Sequence, residues 1–120
     1  MDITALHQHC LGYPGCEETF PFGPDTLVFK VGGKVFALLS LDAPEGRINL
    51  KCDPERALDL REQYPGLVLP GYHMNKKHWN TLLFDSGLPD RLVRELVGHS
   101  YDLVRSGLPA RVKSGLHEQE

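Results

Sequence analysis

Residues 26–40 read TLVFKVGGKVFALLS, two apolar runs joined by Gly32-Gly33. A two-residue glycine link permits positive φ at both turn positions, which a type I′ hairpin requires. With Val31 and Lys34 closing the turn, Phe29 is expected opposite Phe36 and Leu27 opposite Leu38. Side chains alternate along a strand, so Leu27, Phe29, Phe36 and Leu38 share the expected core face, and Val28, Lys30, Val35 and Ala37 share the other.

Downstream, after the loop Asp42-Ala43-Pro44-Glu45-Gly46, residues 47–52 alternate strictly: Ile48, Leu50 and Cys52 point one way, and Arg47, Asn49 and Lys51 the other. One side of the sheet is therefore expected to be wet and basic. Asp53 as N-cap with Pro54 in the first turn opens a helix whose Ala57, Leu60 and Tyr64 form the buried stripe, and Pro65-Gly66 stops it. A short strand at 67–69 and a longer one at 79–84 flank the polar loop 72–78. Pro89 opens a C-terminal helical region with Leu92, Val93, Leu96, Val97, Tyr101 and Val104 on one stripe, and Gly98 is expected to kink or split it.

Upstream, Asp2 caps a first helix with Ile3, Leu6, Cys10 and Leu11 on one stripe, Gly12, Pro14 and Gly15 end it, and residues 17–22 read as a strand. Consecutive strands flanked by helices predict an α+β fold, a mainly antiparallel sheet with helices packed on one face. The chain is read as a single domain, 1–120, with an ordered core over about 3–108 and a disordered C-terminal tail at 109–120.

The 120 residues are 41% hydrophobic and 24% charged, a globular composition. No apolar run approaches the roughly 20 residues needed to span a bilayer, and MDITALHQHC lacks the grading of a signal peptide. Three cysteines are an odd number in a chain large enough to fold without staples. The expectation is a cytoplasmic protein with reduced thiols and no membrane partner. Net charge is −3, unevenly spread: residues 26–81 hold eight Lys and Arg against six Asp and Glu, and the rest hold five against ten.

The segment 72–80 packs two lysines, two histidines, two asparagines and the single tryptophan between apolar strands. Loops hung on rigid elements concentrate binding residues. Lys76 and Lys77 suit phosphates, with Asn75 and Asn80 supplying donors and acceptors. The competing reading makes Trp79 a packing residue with a covered indole, His78 a cap, and the lysines solvated. His7, His9, Cys10 and Cys16 lack the paired spacing of zinc ligands, and His73 with His78 has no third ligand nearby, so no metal is expected. Cys52 reads as a small buried hydrophobe. No phosphate-cradling or nucleophile-elbow motif occurs and no nucleophile–base set assembles, so neither a catalytic residue nor a cofactor is expected, and the chain is not read as an enzyme.

Four stretches together resemble a family: 30–37 (KVGGKVFA), 50–55 (LKCDPE), 70–81 (PGYHMNKKHWNT) and 99–104 (HSYDLV). They are similar to the MmcQ/YjbR-like proteins, small bacterial domains usually labelled DNA-binding, over about residues 3–108. The resemblance implies a frataxin-like (CyaY-like) α+β sandwich with two β-hairpin wings proposed to grip DNA. The expected function is thus non-catalytic DNA binding. Lys30, Arg47, Lys51, Lys76 and Lys77 are the candidate phosphate contacts and Asn49 and Asn75 the candidate base readers, with His73 and His78 in the same loop. Lys34 is left out, because the hairpin register sets it on the opposite face from Lys30, although its place at the turn lets its long stem reach either side and a wing could present it. The alternative is an interaction module binding a protein or an anionic small molecule at that loop. A monomer is expected.

Overall fold

The structure, a computed structural model, describes residues 1–71 and 74–118. In chain order the elements are α1 (Ile3–Leu11), β1 (Cys16–Thr19), β2 (Thr26–Val31), β3 (Lys34–Ser40), β4 (Arg47–Lys51), α2 (Pro54–Gln63), β5 (Val68–Pro70), β6 (Trp79–Leu83), α3 (Asp90–Ser106) and α4 (Ala110–Glu118). The six strands form one sheet in the order β1-β2-β3-β4-β6-β5, with every neighbouring pair antiparallel. One face carries the core: Leu27, Phe29, Val31, Phe36, Leu39, Ile48, Leu50 and Leu82 cluster with Leu6 and Cys10 of α1, Ala57 and Leu60 of α2, and Val93, Leu96, Val97, Tyr101 and Val104 of α3. This is the α+β class the strand and helix pattern predicts.

The central hairpin turns where expected, with Gly32 at φ +57° and Gly33 at +80°. The pairs nearest the turn, Val31 with Lys34 and Lys30 with Val35, follow the expected register. A β-bulge then intervenes, so Phe29 faces Ala37 instead of Phe36 and Leu27 faces Leu39 instead of Leu38. Phe36 and Ala37 both join the core, and Leu38 moves to the opposite face beside Val28. The bulge has a chemical partner. Ser100 of α3, fully buried, donates its hydroxyl to the Phe36 carbonyl at 2.6 Å and accepts the Lys51 N–H at 2.9 Å. One side-chain oxygen thus satisfies two backbone groups that the interrupted β3–β4 ladder leaves over.

Three other expectations are corrected. The C-terminal helix runs through Gly98 unbroken, and a Cβ there would approach the Tyr13 hydroxyl to 3.0 Å. Ile3 and Leu11 stay exposed, so α1 buries only Leu6 and Cys10. The tail is largely helical: Leu108 is buried and Val112 packs on the core beside the hairpin turn, where a Cβ on Gly32 would lie 2.6 Å from one and 2.9 Å from the other. A packing partner in the hairpin, invisible to local propensity, orders that segment.

The β4–α2 junction is tied to α3 and to the loop before β6. Asp53 N–H donates to His99 Nε2 at 3.1 Å, Cys52 N–H donates to the His78 carbonyl at 2.8 Å, and the Asp53 carboxylate caps α2 at Arg56 N–H, 3.1 Å away. Burial holds the His99 imidazole below its ordinary pKa, with a further push from Arg56, and burial lowers His9 as well. Both groups bind protons more readily when unfolded, so their contribution to stability is complete above the ordinary histidine value of about 6.5 and is lost as pH falls from there through the depressed native values. Urea midpoints measured from pH 7.5 to 5 should fall over that window. His99→Gln should flatten part of the decline.

Candidate nucleic-acid interface

The face of the sheet away from the core carries Lys30, Arg47, Asn49 and Lys51, as the alternation requires: Ile48 and Leu50 between them lie in the core. Across this face Lys30 stands opposite Val35 and Glu17, Lys51 opposite Trp79, Asn49 opposite Thr81, and Arg47 opposite Leu83. The alternation does not reveal that the two ends of the sheet differ in charge. All six lysines of the chain lie at the end where the Gly32-Gly33 turn projects. Lys30 and Lys34 flank that turn, Lys51 ends β4, Lys76 and Lys77 precede β6, and Lys113 follows Val112 of α4, which packs against Gly32. The opposite end gathers Asp2, Asp25, Asp42, Glu45, Asp85 and Asp90 in the loops and helix starts around it.

Arg47 therefore does not join the other candidate phosphate contacts. It begins β4, four residues or about 13 Å from Lys51 at the usual strand rise, and its guanidinium lies 3.2 Å from Glu45. Asn49 stands on the open face at mid-sheet, its Oδ1 accepting the Thr81 hydroxyl at 2.5 Å. Both belong to a cleft distinct from the lysine end. Lys34 and Lys113, by contrast, belong with the lysines. Lys34 was legible from its place at the turn, and Lys113 from the Leu108–Val112 spacing of a helical stripe.

The loop holding Lys76 and Lys77 is built from within. Asn75 closes it: its Oδ1 accepts Lys77 N–H at 2.9 Å and its carbonyl accepts the N–H groups of His78 and Trp79 at 3.1 and 3.0 Å. Arg61 of α2 latches it, donating to Asn80 Oδ1 at 2.7 Å and to the carbonyls of Lys76 and Trp79. Asn80, 1% exposed, also donates to the Ala57 carbonyl, so it is a structural bracket and not the ligand group that its place in the motif suggests. His78 is half-buried, and its carbonyl serves Cys52. Trp79 is half-buried on the open face, outside the helix-covered core, and a Cβ on Gly71 would lie 2.9 Å from its Cβ. Tyr72 and His73 lie outside the described residues. Arg61→Ala strands the buried Asn80 oxygen, and should cost about 1–3 kcal/mol in chemical denaturation while raising hydrogen exchange at 76–79.

On the α2 side, Pro54, Glu55, Leu58, Arg61, Lys76 and Lys77 border an open cleft of about 380 Å3 with a largely apolar floor. The histidines of α1 are otherwise engaged. His7 pairs with Glu18 at 2.6 Å and His9 with the Tyr13 hydroxyl at 3.0 Å. Burial raises the Cys10 thiol to about 12, the Cys16 thiol to about 11, and Cys52 in the same direction, so all three are held as protonated thiols. Among the described residues no three His, Cys, Asp or Glu side chains gather as a metal set, and no helix is long and apolar enough to cross a membrane.

An antiparallel sheet with two hairpins turning at one end and three helices closing one face defines a small α+β domain. The YjbR family model matches residues 11–103, and the chain belongs to that family. It is 42% identical to YbdF of Escherichia coli O157:H7 over 115 residues, covering 92% of this chain and 93% of that protein. It is 35% identical to YjbR of Escherichia coli K12 over 109 residues, or 91% and 92% of the two chains. Among solved structures, Deinococcus radiodurans protein DR2400, a DUF419 domain, superposes with a TM-score of 0.89 at 40% identity, over 96% of this chain and 87% of that one. A protein from Pseudomonas syringae superposes at 0.75 and 29% identity, over 87% and 99%.

Proposed function

We propose that this is a non-catalytic, cytoplasmic DNA-binding domain that contacts the phosphate backbone through the lysine end of its sheet. The observation that carries this reading is the gathering of all six lysines of a net-acidic chain around two neighbouring hairpins, β2–β3 and β5–β6. β4 alone separates the hairpins, and two to three strand spacings put their tips about 10–14 Å apart, comparable to the roughly 12 Å width of a major groove. The two hairpins act as the wings. The acidic opposite end supplies polarity, orienting the domain in the field of a polyanion. Asn75 offers its amide N–H groups at the loop tip, whereas Asn49 stands at mid-sheet, away from the lysine end, and is the less suited of the two to read a base there.

Titration of random-sequence duplex DNA tests the reading. With roughly four to six phosphates neutralised, log K should fall against log salt with a slope of about −4 to −5, giving a complex at low salt that weakens sharply toward physiological salt. The second reading, an interaction module for a protein or an anionic small molecule, draws on the apolar-floored cleft that Leu58 and Arg61 share with Lys76 and Lys77. A folded protein with no detectable DNA complex at low salt puts that reading ahead.

A further inference from the structure

Arg47 and Asn49, detached from the lysine end, line a different feature. On the open face near the acidic end lies a half-enclosed cleft of about 390 Å3. Its floor is the sheet itself: Ser40 and Arg47 from one end of β3 and β4, then Asn49, Thr81 and Leu69 in one row across β4, β6 and β5. Its wall is Ala43-Pro44, where the β3–β4 loop borders the face. Gly46 holds that loop down, because its N–H donates to the Asp85 carboxylate at 3.0 Å and a Cβ there would lie 2.6 Å from the Phe84 ring.

We propose that this cleft binds a small organic carboxylate. Its polar lining is mostly donors. The Thr81 hydroxyl has Asn49 Oδ1 as its nearer acceptor at 2.5 Å and the Pro70 carbonyl at 3.4 Å, and with Oδ1 so engaged the Asn49 Nδ2 hydrogens are left for a ligand. Arg47 spends one edge of its guanidinium on Glu45 and keeps further N–H groups in the planar arrangement that matches a carboxylate. Ser40 adds a hydroxyl, and no acidic residue lines the cleft among the described residues. Leu69, Ala43 and Pro44 supply an apolar wall for the body of the ligand. One cation with amide donors suits a monoanion with a hydrocarbon body better than a phosphate dianion, which attracts several cations. The volume lies near the lower end of the usual range for ligand sites, about 300–1,000 Å3, which selects a small molecule.

The site is independent of DNA binding and is tested on the full chain with benzoate as probe. In amide NMR titrations benzoate should give saturable shifts at Ala43, Gly46, Arg47, Asn49 and Thr81. Benzamide, of the same shape without charge, and inorganic phosphate should each bind at least about tenfold more weakly. Arg47→Gln should weaken benzoate about tenfold or more while leaving the melting temperature unchanged, since Arg47 is exposed. Asn49→Asp should weaken it too, by placing a carboxylate against the ligand's own. Shifts confined to the lysine end, no saturation, benzamide binding as well as benzoate, tighter binding of phosphate, or full affinity in Arg47→Gln would each overturn the proposal.

Discussion

Ser100→Ala should lower the unfolding free energy by about 2–4 kcal/mol, the largest effect expected of any one-atom deletion in this chain. The substitution removes almost no volume, so a cavity contributes little. It leaves the Phe36 carbonyl and the Lys51 N–H without the oxygen that serves both, and each unpaired buried backbone group costs about 1–3 kcal/mol. At this chain length that corresponds to a drop in melting temperature of roughly 10 °C. Ser106→Ala supplies the contrast: its hydroxyl bonds only the Leu103 carbonyl three residues back, at an exposed position, and should cost no more than about 0.5 kcal/mol. Equal melts for the two variants would mean that the bulge is satisfied in some other way.

Removing three lysines together, Lys34→Ala with Lys76→Ala and Lys77→Ala, should weaken duplex binding by roughly 10²–10³-fold near 0.1 M salt and shallow the salt slope by about 3. All three side chains are exposed, so melting should stay within a few degrees of the parent. The loss should be similar for unrelated DNA sequences, because phosphate contacts carry no sequence information. Arg47→Ala in the same assay should change affinity little, since it lies at the acidic end beside Glu45. Asn75→Ala should leave the slope alone. Any loss it causes should be confined to preferred sequences, after allowing for its role in closing the loop.

Much of the architecture was legible because the signals were local. Gly32-Gly33 specified the turn, the 47–52 alternation specified which side chains leave the core, and Asp53-Pro54 specified the start of α2. What escaped depended on partners distant in sequence. The bulge at Phe36 is set by Ser100, sixty-four residues away, so the strand's own pattern, read as regular alternation, misassigned Leu38 and Ala37. Leu108 and Val112 of the tail pack against Gly32, and Gly98 of α3 lies against Tyr13, contacts that no local pattern reveals.

The same holds for the candidate site. The lysines of the 72–80 segment stood out as a cluster, but the order of strands in the sheet decides which other lysines share their end and separates Arg47 from them. The four stretches that mark the family turn out to hold the framework together as much as to line a surface. His99 and Ser100 tie down the 50–55 stretch, and Asn80 with Arg61 ties down the loop. A motif can thus recur for its fold alone, and the function must be tested on the exposed groups.

The most direct test is an amide NMR titration of the folded full chain with a random-sequence DNA duplex at low salt. DNA binding at the lysine end predicts a saturable complex whose largest shifts fall at Gly32–Lys34, Lys51 and Asn75–His78, fading as salt is raised, with Asp25, Asp42 and Glu45 unmoved. No shifts at low salt, or shifts centred on the acidic end, would contradict it.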